Sequence, residues 1–421
     1  MQSALIGTIA VPGDKSISHR SIMFGAISNG ETVINNFLES ADCLTTMNAF
    51  RQLGVKIETV DNQVHVHGKG IDHLVAPSEP LNMGNSGTTT RLISGILASR
   101  PFETTLVGDA SLSKRPMQRI IEPLTQMGAH FQSTDGHLPL TITGGQLTGI
   151  DYHMPIASAQ VKSAIILAAL SANQPTTIVE DTKSRDHTEA MLAQFSPQSI
   201  TVHGNQIIIQ PHHPLVGQTI NVPGDISSAA FFLVAAAIIP ESNITITNVG
   251  INPTRTGILS VLKRAGANIN LTNQSQTGEL SADISITATP LKPFTITAAE
   301  IPGLVDEVPL LALLAARANG ISRITGAQEL RLKESDRIKA ITTEFKKLGI
   351  AIEELPDGFV IDGREPWHVV DPHLDSYHDH RIAMTLKIAA LLVKTPVTIN
   401  DEECINISYP TFNTDLAKLR S

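Results

Sequence analysis

The sequence predicts an α/β protein of two domains. Each domain holds three β-α-β-α-β repeats around buried, parallel helices, an inside-out α/β barrel. Three observations predict it. The tetrapeptide VPGD occurs at Val11 and at Val222, 211 residues apart in a chain of 421, and opens the similar segments VPGDKSISHRSIMFGAIS and VPGDISSAAFFLVAAAII. A helix start rich in small or polar residues recurs about every 70 residues, a period longer than that of common solenoids. Such starts lead into an almost wholly apolar helix and, in most cases, then a strand and a more polar helix.

The elements follow in order. Residues 11–20, VPGDKSISHR, read as a strand end, a Pro-Gly turn and the first turn of a helix, with Asp14, Ser16 and Ser18 as capping candidates. Later starts are GNSGTTTRLISGILA, ASAQVKSAIILAAL, GDISSAAFFLVAAAII, LVDEVPLLALLAA and YHDHRIAMTLKIAALL. The strands after them are ETVINNF, ETTLVGDA, PTTIVEDT, SNITITNVG, ISRITGA and TPVTIND. Second helices such as NAFRQLGVKIE, IIEPLTQMGAHFQ, ILSVLKRAGANIN and AITTEFKKLGIAIE end at a Gly and run into another strand. A helix apolar all round needs cover on every side, so the first kind bundles inside and the amphipathic kind lies outside. Parallel alignment puts the positive helix amino ends on one face of each domain. Two such faces opposed across a cleft make an electropositive gap.

Composition narrows the function. Hydrophobic residues are 42% and charged residues 17%, an ordinary globular profile, and the net charge of −9 argues against nucleic-acid or membrane-surface partners. Two cysteines, Cys43 and Cys404, make no disulfide framework. The amino terminus lacks the pattern of a signal peptide and no apolar run reaches membrane-spanning length, so a cytoplasmic protein is expected.

Candidate residues cluster at the helix starts and at the turns before the second helices. Lys15, Ser16, Arg20 and Asp42 come from the first repeat; Asn85, Gly87, Thr88, Lys114 and Arg115 from the second. The third gives Ser158, Gln160, Lys162, Arg185 and His187, and the fourth Ser227, Ser228 and Arg255. The fifth gives Asp306, Glu307 and the run LRLKESDR (330–337) with Arg331, Lys333, Glu334, Asp336 and Arg337, and the sixth His378, Asp379, His380 and Arg381. Cations with hydroxyl and amide groups at helix amino ends suit anions. Plainer readings stand beside each. VPGDKSISHR alone reads equally as a capped helix with solvated charges, and KESDR as the surface pairs Lys333–Asp336 and Glu334–Arg337. HDHR lacks a further ligand pair, and Arg381 repels a cation, so no metal is expected. His65 and His67 share a strand face and read as solvated. GxxxxGK[ST], GxGxxG after a strand and GxSxG are all absent.

With PGDKSISHR, GNSGTTTRL, SKRPM, SAQVKSA, SRDHTE, VDEVP, LRLKESDR and DHR in this order over essentially the whole length, the chain resembles the 5-enolpyruvylshikimate-3-phosphate synthases, in the form often called class II. The resemblance implies the two-domain enolpyruvyl transferase fold. Its domains are 1–13 with 224–421, and 14–223, joined by a two-strand crossover near 12–14 and 223–225. It implies transfer of the enolpyruvyl group of phosphoenolpyruvate to the 5-hydroxyl of shikimate 3-phosphate with release of phosphate, on the route to chorismate. No cofactor and no metal are implied; the partners are the two small substrates, and the protein is expected to be a monomer. By resemblance Lys15, Ser16, Arg20, Ser158, Gln160, Arg185, Asp306 and Lys333 hold shikimate 3-phosphate, and Lys15, Gly87, Arg115, Gln160, Arg337 and Arg381 hold phosphoenolpyruvate. Asp306, Glu334 and Lys15 are the catalytic residues. Asp306 accepts the hydroxyl proton and Glu334 protonates the methylene, although Lys333 and Arg337 beside Glu334 oppose its service as an acid. Gly87 leaves room for glyphosate, an inhibitor of the phosphoenolpyruvate site.

One departure stands out. Some members carry a Lys three residues before a late Pro in a KTFP-like run; here the run is ISYP with Ile407 at that place. Two rivals remain. The sister enolpyruvyl transferase acting on UDP-N-acetylglucosamine usually has a Cys in the loop corresponding to SLSKRPMQ and an Asn after the first Lys; here there is no Cys, and Ser16 follows Lys15. A non-catalytic anion-binding scaffold explains the cations but not Asp306 and Glu334.

Overall fold

Alternation of apolar and amphipathic segments fixes the helices. The computed structural model describes residues 3–275 and 278–420, and the chain divides into two units: Gly13–Val222, and Met1–Pro12 with Pro223–Ser421. The unit Gly13–Val222 contains α1 (Lys15–Ile27), α2 (Ala41–Gln52), α3 (Gly87–Leu97), α4 (Gln118–Gln126), α5 (Ala159–Ala169) and α6 (His187–Phe195). The other contains α7 (Ile226–Ile238), α8 (Gly257–Arg264), α9 (Val308–Ala315), α10 (Arg337–Lys347), α11 (His380–Ala390) and α12 (Phe412–Leu419).

The odd-numbered helices are the apolar ones and they are buried: α7 hides every residue but Ser228, and α9 all of its residues. The even-numbered helices bury one stripe each, as α4 does with Ile120, Pro123 and Leu124. Each unit closes its own apolar core. In the first, Phe24 of α1 stacks on Phe195 of α6 at 5.4 Å. In the second, Phe232 of α7 meets Tyr409 at 5.8 Å and Phe412 at 5.4 Å. Gly54 (φ +88°) and Gly266 (φ +92°) end α2 and α8 in the left-handed conformation that a side chain would strain.

Five four-stranded sheets and one two-stranded sheet cover these helices among the described residues. Each four-stranded sheet has one parallel pair, and the rest of its ladder is antiparallel. Leu81–Asn82 pairs in parallel with Glu103–Val107 across α3, and Asp151–His153 with Thr176–Val179 across α5, the β-α-β connection. The two VPGD copies exchange partners. Strand Ile6–Ala10, which precedes α1, pairs with Asn243–Gly250 after α7, with Ile6 opposite Asn243 and Ala10 opposite Thr247. Strand Thr219–Asn221, which precedes α7, pairs with Asn29–Asn35 after α1, with Thr219 opposite Val33. The sixth repeat keeps a two-stranded sheet, His373–Asp375 beside Thr398–Asn400.

Two plainer readings change. His65 and His67 are not merely solvated: they reach across the sheet to Glu31 (2.8 Å) and Glu58 (3.2 Å). In the KESDR run the Glu334–Arg337 pair forms at 2.6 Å, while Asp336 takes Arg331 at 2.8 Å and caps α10 through the Lys339 N–H.

Candidate functional site

Helix capping places the residues of the unit Gly13–Val222. Asp14, the N-cap of α1, accepts the Ile17 N–H at 2.9 Å and so sets Lys15 and Ser16 on the first turn. Lys15 pairs with Asp42 on the first turn of α2. Arg20, one turn further in and 4% exposed, donates from Nε to Thr188 of α6 (2.6 Å), from Nη2 to Ser163 of α5 (3.0 Å) and from Nη1 to the Ser16 carbonyl (3.0 Å). One guanidinium thus ties three helices together. Beside it His19 is fully buried, its Nδ1 2.6 Å from Thr46 Oγ1, and burial lowers its pKa to about 3, so the ring stays neutral.

Ser86 and Ser158 cap α3 and α5. Gly87 opens α3, and a Cβ there would lie 2.7 Å from Arg91 Nη1. Arg91 in turn donates to Gln160 Oε1 at 3.0 Å, and Gln160 donates to Thr88 Oγ1 at 3.0 Å, which fixes the amide's orientation. Arg115 leaves a 3-10 turn and reaches Asn85 Oδ1 at 2.7 Å; Asn85 is held by Asp109 at 2.7 Å. Arg185 is half-buried in the segment before α6.

The other unit gathers a second set. Arg337, the first residue of α10 and 1% exposed, donates to Asp379 (2.8 Å from Nε) and Glu334 (2.6 Å from Nη2), and its Nη1 lies 3.6 Å from Asp306. Burial alone would lower the pKa of this guanidinium, but Asp379, Glu334 and Asp306 outweigh it and push it up. Arg381 Nε lies 3.4 Å from Asp306 Oδ1. Asp379, fully buried, caps α11 through the Arg381 N–H (3.0 Å) and also receives Ser335 (3.1 Å), so one carboxylate aligns Arg337 with Arg381. Lys333 is half-buried just before α10.

Asp306, Glu334, Arg337 and Arg381 therefore form one constellation. In the other unit, Arg91 joins Gln160 to Gly87, and Ser163 and Thr188 hold Arg20; sequence reasoning does not reach these three neighbours. The available signal for Arg91 was its position one turn after Gly87 on the same helix face. The fourth repeat departs from expectation. Arg255 is 3% exposed and turned inward, donating to Ser227 Oγ at 2.8 Å and contacting Asp225 at 3.3 Å, while Ser227 also donates to buried Glu307. The amino end of α7 is filled by the unit's own carboxylate and guanidinium. No group of three or more His, Cys, Asp or Glu among the described residues is placed to hold a metal.

The family model described as EPSP synthase (3-phosphoshikimate 1-carboxyvinyltransferase) matches residues 1–416. The chain is 53% identical over 418 residues to the 3-phosphoshikimate 1-carboxyvinyltransferase of Lactiplantibacillus plantarum, covering 99% of this chain and 97% of that one. It is similar to the solved EPSP synthase of Acinetobacter baumannii, with TM-score 0.88, 46% identity, and 100% and 96% of the two chains covered. The enolpyruvyl transferase NikO of Streptomyces tendae shares the fold alone, at TM-score 0.79 and 18% identity over 99% and 95% of the two chains.

Proposed function

The chain belongs to the EPSP synthase family, and from that premise we propose that it transfers the enolpyruvyl group of phosphoenolpyruvate to the 5-hydroxyl of shikimate 3-phosphate and releases phosphate. The observation that carries the reading is the constellation of two carboxylates, Asp306 and Glu334, both against the buried Arg337 and with Arg381 beside Asp306. Addition–elimination needs a proton donor and a proton acceptor set among cations, and this cluster supplies both.

Glu334 protonates the methylene carbon of phosphoenolpyruvate, C2 becomes electrophilic, and the 5-hydroxyl oxygen bonds to C2 as Asp306 takes its proton. In the second step the roles reverse: the C2–O bond to phosphate breaks as Asp306 returns its proton to the leaving phosphate, and the Glu334 carboxylate takes a methyl proton, restoring the double bond. The two substrates carry roughly five negative charges. Lys15, Ser16, Arg20, Ser158, Gln160, Arg185, Asp306 and Lys333 hold shikimate 3-phosphate. Lys15, Gly87, Arg115, Gln160, Arg337 and Arg381 hold phosphoenolpyruvate. Arg337 and Arg381 come to that task already oriented by Asp379, so little ordering remains to be done when the anion arrives.

The setting is the cytoplasm, and the protein acts as a monomer. In support, Cys43 and Cys404 are free and buried, and burial pushes the Cys43 thiol up to about 12, an unreactive value.

Phosphate release by purified protein with both substrates tests the reaction. It is expected with shikimate 3-phosphate, absent with UDP-N-acetylglucosamine, and abolished in Lys15→Met. Asp306→Asn and Glu334→Gln are each expected to lower kcat by about 100-fold or more with the fold intact by circular dichroism. Near-normal turnover in either variant would remove that residue from the proton chemistry.

A further inference from the structure

A buried charge cluster lies against Ser184, the residue before Arg185. Lys162, one turn into α5 and fully buried, donates to Glu180 Oε2 at 2.8 Å and reaches Glu189 Oε1, on the first turn of α6, at 2.6 Å. The second oxygen of Glu180 accepts the Ser184 N–H at 3.2 Å and the Ser184 hydroxyl. Lys162 Nζ also lies 3.4 Å from the Ser184 carbonyl. Ser184 is thus gripped at its N–H, hydroxyl and carbonyl, in the segment between Thr176–Val179 and α6 that carries no helix or strand at 181–186.

Burying a lysine and two carboxylates is a costly way to stabilise a fold. Glu180 and Glu189 are 2% and 7% exposed, and Glu189 Oε2 finds no hydrogen-bond partner among the described residues. Burial, only partly offset by Lys162, raises the Glu189 pKa. Apolar residues of like volume would fill the space at less cost. What they would not supply is three directed bonds to one residue in an irregular segment.

The neighbours show where the grip is applied. Ser184 precedes Arg185. Ser163 follows Lys162, and Thr188 precedes Glu189; these two hydroxyls lie 2.6 Å apart and both receive Arg20. The cluster therefore backs both of the arginines assigned above to shikimate 3-phosphate in this unit.

We propose that Glu180, set by Lys162, is a positioning residue for the acceptor: it fixes Ser184 so that the guanidinium of Arg185 is presented in one orientation to the phosphorylated ring. This rests on the assignment of Arg185 to shikimate 3-phosphate. It acts on acceptor affinity and leaves the donor side and the proton transfers alone.

Steady-state kinetics on Glu180→Gln, Ser184→Ala and Arg185→Ala in the full chain test it, with KM for each substrate and kcat measured separately. Glu180→Gln keeps the volume but cannot accept from Lys162 and both Ser184 donors at once. It is expected to raise KM for shikimate 3-phosphate about tenfold, with KM for phosphoenolpyruvate and kcat within twofold of the parent. Ser184→Ala removes one hydroxyl, keeps the fold, and should shift the same constant about threefold. Arg185→Ala should raise it at least as much as Glu180→Gln. A purely structural role would scale kcat with the folded fraction and leave both KM values alone. That result, or unchanged acceptor KM in Glu180→Gln and Ser184→Ala while Arg185→Ala raises it, overturns the inference. An Arg185→Ala enzyme with normal acceptor KM overturns the assignment of Arg185, and this inference with it.

Discussion

Arg337 illustrates how a single side chain is fixed in place by its neighbours. Sequestered from water and bonded to Asp379 and Glu334, it stays charged, and its orientation is set by carboxylates of its own unit. Gly87 makes the complementary point: its missing Cβ is the space that Arg91 uses on its way to Gln160. Gly87→Ala should push Arg91 aside, loosen Gln160 and raise KM for phosphoenolpyruvate roughly tenfold, as measured by steady-state kinetics. His19 predicts a pH effect. Its folded pKa is about 3 against 6.5 for the exposed ring. Below 6.5 the unfolded chain takes up a proton that the native ring refuses, so the neutral ring's contribution is present above 6.5 and lost as pH falls toward 3. Stability from urea titrations should drop by at most about 1.4 kcal/mol per pH unit from this group across that window. His19→Asn should flatten the slope.

At the scale of elements, the buried helices carry the stability and their amino ends gather the polar side chains. The apolar sequence of α7 leaves it no exposed face, and its Phe232 anchors the aromatic cluster with Tyr409 and Phe412. Phe232→Ala should cost about 3–5 kcal/mol in chemical denaturation, because the rings around it cannot collapse into the space. The same helix shows how one amino end is withdrawn from ligand binding: Glu307, Ser227 and Arg255 complete its polar groups internally. The sequence marks Arg255 as a cation near a helix start, as it does Arg20. Arg255 is held by Ser227 and Asp225 and Arg20 by Ser163 and Thr188, partners 28 to 168 residues away along the chain that a local reading cannot supply.

At the scale of the whole molecule, the exchange of first strands makes residues 5–11 part of the unit that contains Pro223–Ser421. Leu5, Ile9 and Val11 are buried in its core, and Ile6–Ala10 supplies the parallel neighbour of Asn243–Gly250. Removing residues 1–12 should expose that edge and the core behind it. Hydrogen exchange is expected to show lost protection at 243–250 and retained protection at 29–35, whose parallel partner is Thr219–Asn221. Equal loss at both strands would contradict this division.

What the sequence by itself determined is the repeat, the two kinds of helix and the polar residues at the helix starts. Each is a local matter: a period of apolar residues, a cap, a short run such as LRLKESDR. What only the tertiary structure decided is which of those polar groups meet. Asp379 beside Arg337 is 42 residues away along the chain, Ser163 beside Arg20 is 143, and Arg91 beside Gln160 is 69. Charge and hydrogen bonding act over a few ångströms, and the chain brings such groups that close only when its helices pack.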